Sequence, residues 1–115
     1  MGDSELNVFR SSLDLVILKA LSWGPRHGYA VAEWIEYATG ETVLVEEGTL
    51  YPALHRLERR GWVEGAWGLS ENNRRARYYA LTAAGRQRLR AEASLWQRYA
   101  AAVAKVLEST APEPA

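Results

Sequence analysis

The residues best suited to chemistry form a basic stretch near the middle of the chain, residues 48–62, which reads GTLYPALHRLERRGW. Apolar side chains recur there at helical spacing and predict one buried stripe. The stripe consists of Leu50, Ala53, Leu54 and Leu57. The positions predicted to lie on the opposite side carry no acid; they are Thr49, Pro52, His55, Arg56 and Arg59. Because arginines attract phosphates and short polar side chains reach base edges, this pattern is typical of a recognition helix in a DNA major groove. An amphipathic surface helix is the alternative interpretation.

A second group of arginines follows the predicted helix. Residues 62–67 and 77–81 are rich in aromatic and β-branched side chains and predict two strands, and Asn72-Asn73 between them favours a turn. A hairpin with arginines at its tip is a wing, which reaches a phosphate backbone or a minor groove. The alternative is a solvated hairpin whose arginines bind nothing. We predict DNA contacts from Thr49, Tyr51, His55, Arg56 and Arg59 on the helix, and from Arg74, Arg75 and Arg77 on the wing.

Charge is distributed unevenly along the chain, although its 14 basic and 14 acidic residues balance. Residues 56–90 hold nine basic and three acidic side chains, a net charge of +6, whereas residues 1–55 hold three basic and eight acidic ones, a net charge of −5. Local charge, rather than the total, determines where a polyanion docks. The pattern therefore favours nucleic-acid contacts from the second of these segments.

The first helix must hold the recognition helix in place. Residues 13–21 predict this helix, with Ser11 or Ser12 as its N-cap, and its apolar residues point to two sides. Leu15 and Leu18 lie apart from the main stripe, and a helix that is apolar on two sides needs two partners. The second partner is then another subunit or another helix.

The remaining upstream elements complete a helix-turn-helix. Gly24-Pro25 ends the first helix, and residues 28–38 predict a second helix, joined to the recognition helix by a turn of modest length. Residues 1–11 predict a short helical arm. Glu46 and Glu47 stand at the start of the recognition helix, where acids repel phosphate.

A long last helix follows the wing and predicts a homodimer. Thr82 is its predicted N-cap, and it runs to about Glu108. Its apolar residues alternate at spacings of four and three, which is a heptad seam. The seam, and with it the predicted dimer interface, consists of Leu89, Ala93, Trp96, Ala100, Val103 and Leu107.

The middle of this seam predicts a ligand site. Trp96 lies between the small residues Ala93 and Ala100, so the layer is filled unevenly and space remains beside the ring. We predict an apolar slot between subunits that binds a planar aromatic effector. Its predicted lining is Val8, Leu15, Leu18, Ala93, Trp96 and Ala100. In the alternative, Trp96 packs on its copy and the dimer core is full.

Composition excludes several classes of protein. The chain has 115 residues, of which 48% are hydrophobic, and suits one domain plus an appendage. It holds no cysteine, which excludes disulfides and thiolate metal sites and fits the cytoplasm, where we expect it. No apolar run is long enough to span a bilayer. Since neither His27 nor His55 belongs to a plausible triad or metal set, we expect no enzyme, cofactor or metal.

Several motifs together resemble the PadR family of bacterial transcriptional regulators: GTLYPALHRLERRGW, RARYYALTAAGRQRL and the His-Gly-Tyr turn at residues 27–29. The resemblance implies a mainly α, α+β fold, a winged helix-turn-helix with a long C-terminal dimerisation helix. Residues 1–82 would be the DNA-binding domain with a short N-terminal arm, residues 83–108 the dimerisation helix and residues 109–115 a flexible tail.

The same resemblance implies a function. A homodimer would bind a palindromic DNA operator, repress transcription and be released by a ligand. Multidrug-binding members of the smaller subfamily stack planar ligands on a tryptophan at the place that matches Trp96. The alternative is a protein-interaction or dimerisation module without specific DNA binding.

Overall fold

The computed structural model describes residues 2–113, and their side chains from residue 12 onward, as four helices and a small antiparallel sheet. The helices are α1 (Gly2–Leu21), α2 (Gly28–Ala38), α3 (Glu47–Arg59) and α4 (Ala83–Glu108). The strands are β1 (Arg26–His27), β2 (Val63–Leu69) and β3 (Arg75–Leu81), in the order β1-β3-β2. This α+β arrangement confirms the predicted winged helix-turn-helix with a long last helix.

The core lies where α1, α2 and α3 meet the inner ends of β2 and β3. The predicted stripe of α3 is fully buried, because its four apolar side chains share one side of the helix. They pack in one cluster with Ile17 and Leu21 of α1, Val31 and Ile35 of α2, and Tyr79 of β3. Recognition helix, first helix and sheet are therefore held by a single hydrophobic core.

Helix α1 differs from its prediction in two respects. It begins at Gly2, so Ser11 and Ser12 lie inside the helix and do not cap it, because serine is tolerated within a helix that nothing upstream breaks. Leu18 is 1% exposed and belongs to the core, so it is not available to a second subunit. The second side of α1 is covered by α4 of the same chain.

His27 has a structural role at the start of α2. Its Nδ1 atom accepts a hydrogen bond of 3.2 Å from the backbone N–H of Ala30 and caps the helix. His27 also lies in the two-residue strand β1, which pairs with Tyr78 and Tyr79 of β3. The sequence did not predict β1, because so short a strand is defined only by its distant partner.

The wing is a regular hairpin, longer than predicted. Its ladder runs from the pair Val63 and Leu81 to the pair Leu69 and Arg75. Asn73 lies in the turn at a φ of 60°, a conformation that asparagine tolerates better than most residues, which confirms the predicted turn.

Helix α4 is anchored at its first turn and projects from the domain at its other end. The side chain of Thr82 accepts a hydrogen bond of 3.0 Å from the N–H of Gly85, which confirms the predicted cap. Gly85 lies so close to the residue before β2 that a Cβ atom there would be 1.9 Å from the carbonyl oxygen of Trp62. The far end of α4 exposes large apolar side chains, among them Tyr99, Val106 and Leu107.

Candidate nucleic-acid interface

The outer side of α3 presents short polar and basic side chains to solvent. Thr49, His55 and Arg59 are exposed, as the sequence predicted for them. Within the described part of the chain, Arg59 has no ion-pair partner. Tyr51 lies at the edge of this surface, with its ring directly over Gly28, where a Cβ atom would be 2.7 Å from the ring. Glycine at that position therefore allows the ring to lie against the start of α2.

Arg56, which the sequence also predicted as a DNA contact, is paired within the protein. Its Nη2 atom donates a hydrogen bond of 2.9 Å to Oδ1 of Asp14 in α1. Burial raises the pKa of Asp14, although the nearby Arg56 guanidinium acts in the opposite direction. Arg56 therefore joins α3 to α1.

Arg77, which the sequence also predicted as a DNA contact, likewise joins two elements of the fold. Its Nη2 atom donates a hydrogen bond of 2.6 Å to Oε2 of Glu58 in α3, and this bond raises the pKa of Arg77. Its guanidinium lies over Gly65, where a Cβ atom would be 2.7 Å from it. Beneath it, burial raises the pKa of Tyr79. Arg77 ties the wing to α3 and offsets the charge of Glu58.

The outer half of the wing carries exposed positive charge that no acid among the described residues offsets. Arg74 and Arg75 are exposed, and within the described residues neither forms an ion pair. The guanidinium of Arg75 lies over the ring of Trp67, 4.6 Å from its centroid. Trp67 is itself 58% exposed. The sequence did not predict Trp67 as a surface residue, because its place opposite Arg77 in the ladder is defined only by the fold.

Two grooves border the start of α3, and Tyr29 and Tyr51 line both. The wing groove, about 440 Å³, lies between the start of α2, α3 and the wing, and Trp67, Asn72 and Arg75 are on its wing side. The acidic groove, about 480 Å³, lies between α2 and α3. Its acids are Glu33, Glu36, Glu46 and Glu47. A phosphate chain is therefore attracted to the wing groove and repelled from its neighbour.

A third groove, of about 500 Å³, lies between α1 and α4. It brings together Leu15, Ala93 and Trp96 of the predicted ligand site, with Leu89 beside them. Ala100 is exposed and is not among its lining residues, and Leu18 lies in the core instead, where it is 1% exposed. The side chain of Val8 lies outside the described residues.

Trp96 lies at the open edge of this groove. Its side chain is 41% exposed, and the centroid of the Tyr99 ring is 6.2 Å away. Of the described charged side chains on α1 and α4, Lys19 and Arg90 line the groove, and no acid among them does so. The groove thus offers an apolar surface, an aromatic edge and two cations.

The described residues give no sign of metal binding or of a membrane span. Among them, no three histidine, cysteine, aspartate or glutamate side chains are grouped so that they could hold a metal ion. No helix in the described range is both long and apolar enough to cross a bilayer.

Comparison with known proteins gives consistent matches. A family model described as "Transcriptional regulator PadR-like family" matches residues 17–91. A transcriptional regulator from Clostridium thermocellum is similar with a TM-score of 0.77 and 30% identity, over 86% of this chain and 96% of that one. A PadR family transcriptional regulator from Eggerthella lenta is similar with a TM-score of 0.75 and 28% identity, over 95% of this chain and 93% of that one.

A further relative is much longer than this chain. It is an uncharacterized 37.1 kDa protein in transposon TN4556 of Streptomyces fradiae, 37% identical over 99 residues. The match covers 86% of this chain and 26% of that protein. The chain therefore spans about a quarter of that relative's length.

Proposed function

This chain belongs to the PadR-like family of transcriptional regulators and is not an enzyme, and on that basis we propose that it is a ligand-responsive repressor. As a homodimer it binds a palindromic DNA operator, and a planar aromatic effector releases it. Residues 1–82 form the DNA-binding unit, residues 83–108 the dimerisation helix and residues 109–115 a tail.

The observation that carries this proposal is the uncompensated positive surface shared by α3 and the wing. Arg59, Arg74 and Arg75 are exposed and have no ion-pair partner among the described side chains, whereas Glu58 between them is paired with Arg77. Helix α3 enters the major groove, and the wing reaches the neighbouring phosphate backbone or minor groove. The proposed DNA contacts are Thr49, Tyr51, His55, Arg59, Arg74 and Arg75.

Replacing Arg59 or Arg74 with alanine should weaken binding to every DNA sequence. Each loses about one phosphate contact, so the slope of log K against log salt should become shallower by about one. Fluorescence anisotropy on a random duplex, across a salt series, measures this slope. His55→Ala should instead act mainly on the operator, because a short side chain on α3 contacts base edges.

The matched control for these arginines is Arg98→Ala, because Arg98 is exposed on α4 outside the proposed surface. It removes the same charge and should leave the salt slope unchanged. Equal effects of Arg98, Arg59 and Arg74 would show that only net charge matters and would contradict the docking surface. A wild-type protein that binds no duplex at low salt would instead favour a protein-interaction module.

The exposed apolar side of α4 supports a homodimer. Tyr99, Val106 and Leu107 are more than half exposed, and Trp96 and Val103 lie beside them. A helix that projects from its domain with such a surface needs a partner, and a second copy across a two-fold axis presents the same surface. The seam residues Val103 and Leu107 lie in this surface.

The groove between α1 and α4 supports an effector site at the dimer interface. Trp96 is half-exposed at its edge, so a planar molecule can stack on the ring. Because Lys19 and Arg90 line the groove and no acid from residue 12 onward does so, an uncharged or anionic aromatic molecule fits better than a cation.

Titration with an anthracene carboxylate should quench tryptophan fluorescence in the wild type, and Trp96→Ala should abolish most of that quenching. Ethidium, a planar cation, should bind at least about tenfold more weakly, because two cations line the groove. The control is Trp67→Ala, which removes a 58% exposed tryptophan on the wing, outside the groove. Quenching that survives in Trp96→Ala would place binding elsewhere, and no binding of either compound would favour a filled dimer core.

A further inference from the structure

We propose that the wing reads A·T base pairs in the minor groove through Trp67 and Arg75, next to the major groove that α3 occupies. This proposal rests on the proposed DNA-binding function and deepens it, because it assigns sequence specificity to the wing. Three features that occur together support it: the wing groove, the contact of Arg75 with the ring of Trp67, and the charge balance of Arg75 and Arg77.

A major groove and the adjacent minor groove are separated by one sugar–phosphate strand. If α3 occupies the first, that strand must lie between α3 and the wing, and the wing groove is the concave surface there. The wall nearest α3 carries Tyr51, and the opposite wall carries Trp67 and Arg75. Side chains on the opposite wall therefore reach the minor-groove edge of that strand.

Trp67 and Arg75 lie on the same face of the hairpin. In the ladder Trp67 is opposite Arg77 and Leu69 is opposite Arg75, so these four side chains share one face of the hairpin. This is the face that buries Val63 and Tyr79 closer to the core, and it therefore continues from α3 toward the wing tip. Stacking on Trp67 orients the Arg75 guanidinium before any DNA is bound.

The two neighbouring arginines, Arg75 and Arg77, differ in whether a carboxylate offsets their charge. Arg77 is paired with Glu58 at 2.6 Å and its charge is offset. Arg75 has the stacking contact but no carboxylate partner among the described side chains. Of the two, only Arg75 therefore presents an oriented charge that still lacks a counterion.

The chemistry of the stacked pair favours A·T pairs. A narrow minor groove in A·T-rich DNA has an enhanced negative potential that attracts arginine. The indole N–H of Trp67 is a donor, and the minor-groove edge of A·T pairs offers only acceptors. A G·C pair adds the guanine N2 amino group, which is itself a donor and obstructs the floor of the groove.

The test uses the full-length protein and three alternating duplexes, dA–dT, dI–dC and dG–dC. Inosine has the major-groove edge of guanine but lacks its N2 amino group, so the comparison of dI–dC with dG–dC isolates the minor groove. We expect the wild type to bind dA–dT and dI–dC about tenfold more tightly than dG–dC, the size of one lost base-pair contact. Trp67→Leu and Arg75→Lys should each reduce this preference to less than about twofold while leaving the salt slope unchanged, because neither removes a charge.

Trp23→Leu is the matched control. Trp23 is an exposed tryptophan with a cation, Lys19, 4.7 Å from its ring centroid, and it lies outside the wing groove. It should keep the wild-type preference. Unchanged circular dichroism of Trp67→Leu confirms that the wing is still folded, and Trp67→Phe, which keeps a ring for Arg75, should keep part of the preference.

The possible outcomes separate this proposal from the proposed function. If the wild type binds all three duplexes equally, the minor-groove proposal is wrong and DNA binding stands. If the preference survives in both Trp67→Leu and Arg75→Lys, other residues read the groove and the proposal is again wrong. If no duplex is bound at all, the proposed function and this inference fall together.

Discussion

Replacing Gly85 with alanine is expected to lower the free energy of unfolding by about 3 kcal/mol, the upper range for overpacking a tight site. The added Cβ atom would be 1.9 Å from the carbonyl oxygen of Trp62 and 2.9 Å from its carbonyl carbon. These are backbone atoms, so no side chain can move aside, and α4 must shift away from β2. Alanine would otherwise stabilise a helix by about 1 kcal/mol relative to glycine, so the expected sign is opposite to helix propensity.

Gly48→Ala is the matched control for this substitution. Gly48 lies within the first turns of α3, and a Cβ atom there would meet nothing within 4 Å. This variant should be neutral or slightly stabilising. Urea denaturation at fixed protein concentration measures both, because the stability of a dimer depends on concentration. If Gly85→Ala is as stable as Gly48→Ala, the close approach of α4 to Trp62 is not present in solution.

Replacing Val103 and Leu107 together with glutamate is expected to give a monomer and to weaken operator binding by about 10² or more, because two linked half-site contacts become one. Both residues belong to the heptad seam, and Leu107 is 79% exposed in the single chain. A charge at a buried seam position would remain unpaired in the dimer. Light scattering coupled to gel filtration measures the mass, and anisotropy measures the affinity.

The control for this pair is Ser94→Glu together with Ala101→Glu, which adds the same charge on the opposite side of α4. Both positions are exposed. This variant should remain a dimer and keep most of its operator affinity. A folded dimer of unchanged mass after the Val103 and Leu107 substitutions would exclude the seam as the interface, whatever the control shows.

Much of the fold could be predicted from local patterns. The stripe of α3, the Thr82 cap and the turn at Asn73 each follow from residue types a few positions apart, and the structure confirms them. The predicted start of α1 was wrong, because serine fits both an N-cap and a helix interior. Strand β1 was missed because two residues have no pattern of their own.

The site was harder to predict because arginines compete for two kinds of partner. Arg56 pairs with a residue 42 positions away and Arg77 with one 19 positions away. No spacing along the chain reveals such pairs, so a basic residue in a basic segment looks available to phosphate. Only the folded structure distinguishes the two groups. Arg56 and Arg77 form ion pairs between elements of the fold, whereas Arg59 and Arg75 remain free of ion pairs among the described residues.

The two ion pairs that join α3 to α1 and to the wing also affect how the binding of an effector can change the position of α3. Because Arg56 is bound to Asp14, Arg77 is bound to Glu58 and α3 shares one core with α1, we expect the recognition helix to move together with its neighbours relative to α4. Helix α4 has 26 residues and is about 39 Å long. A turn of about 6° over a radius of about 30 Å moves the tip about 3 Å, close to one base-pair step of about 3.4 Å. An effector that spreads α1 from α4 by a small wedge would therefore put the two heads out of phase with the double helix.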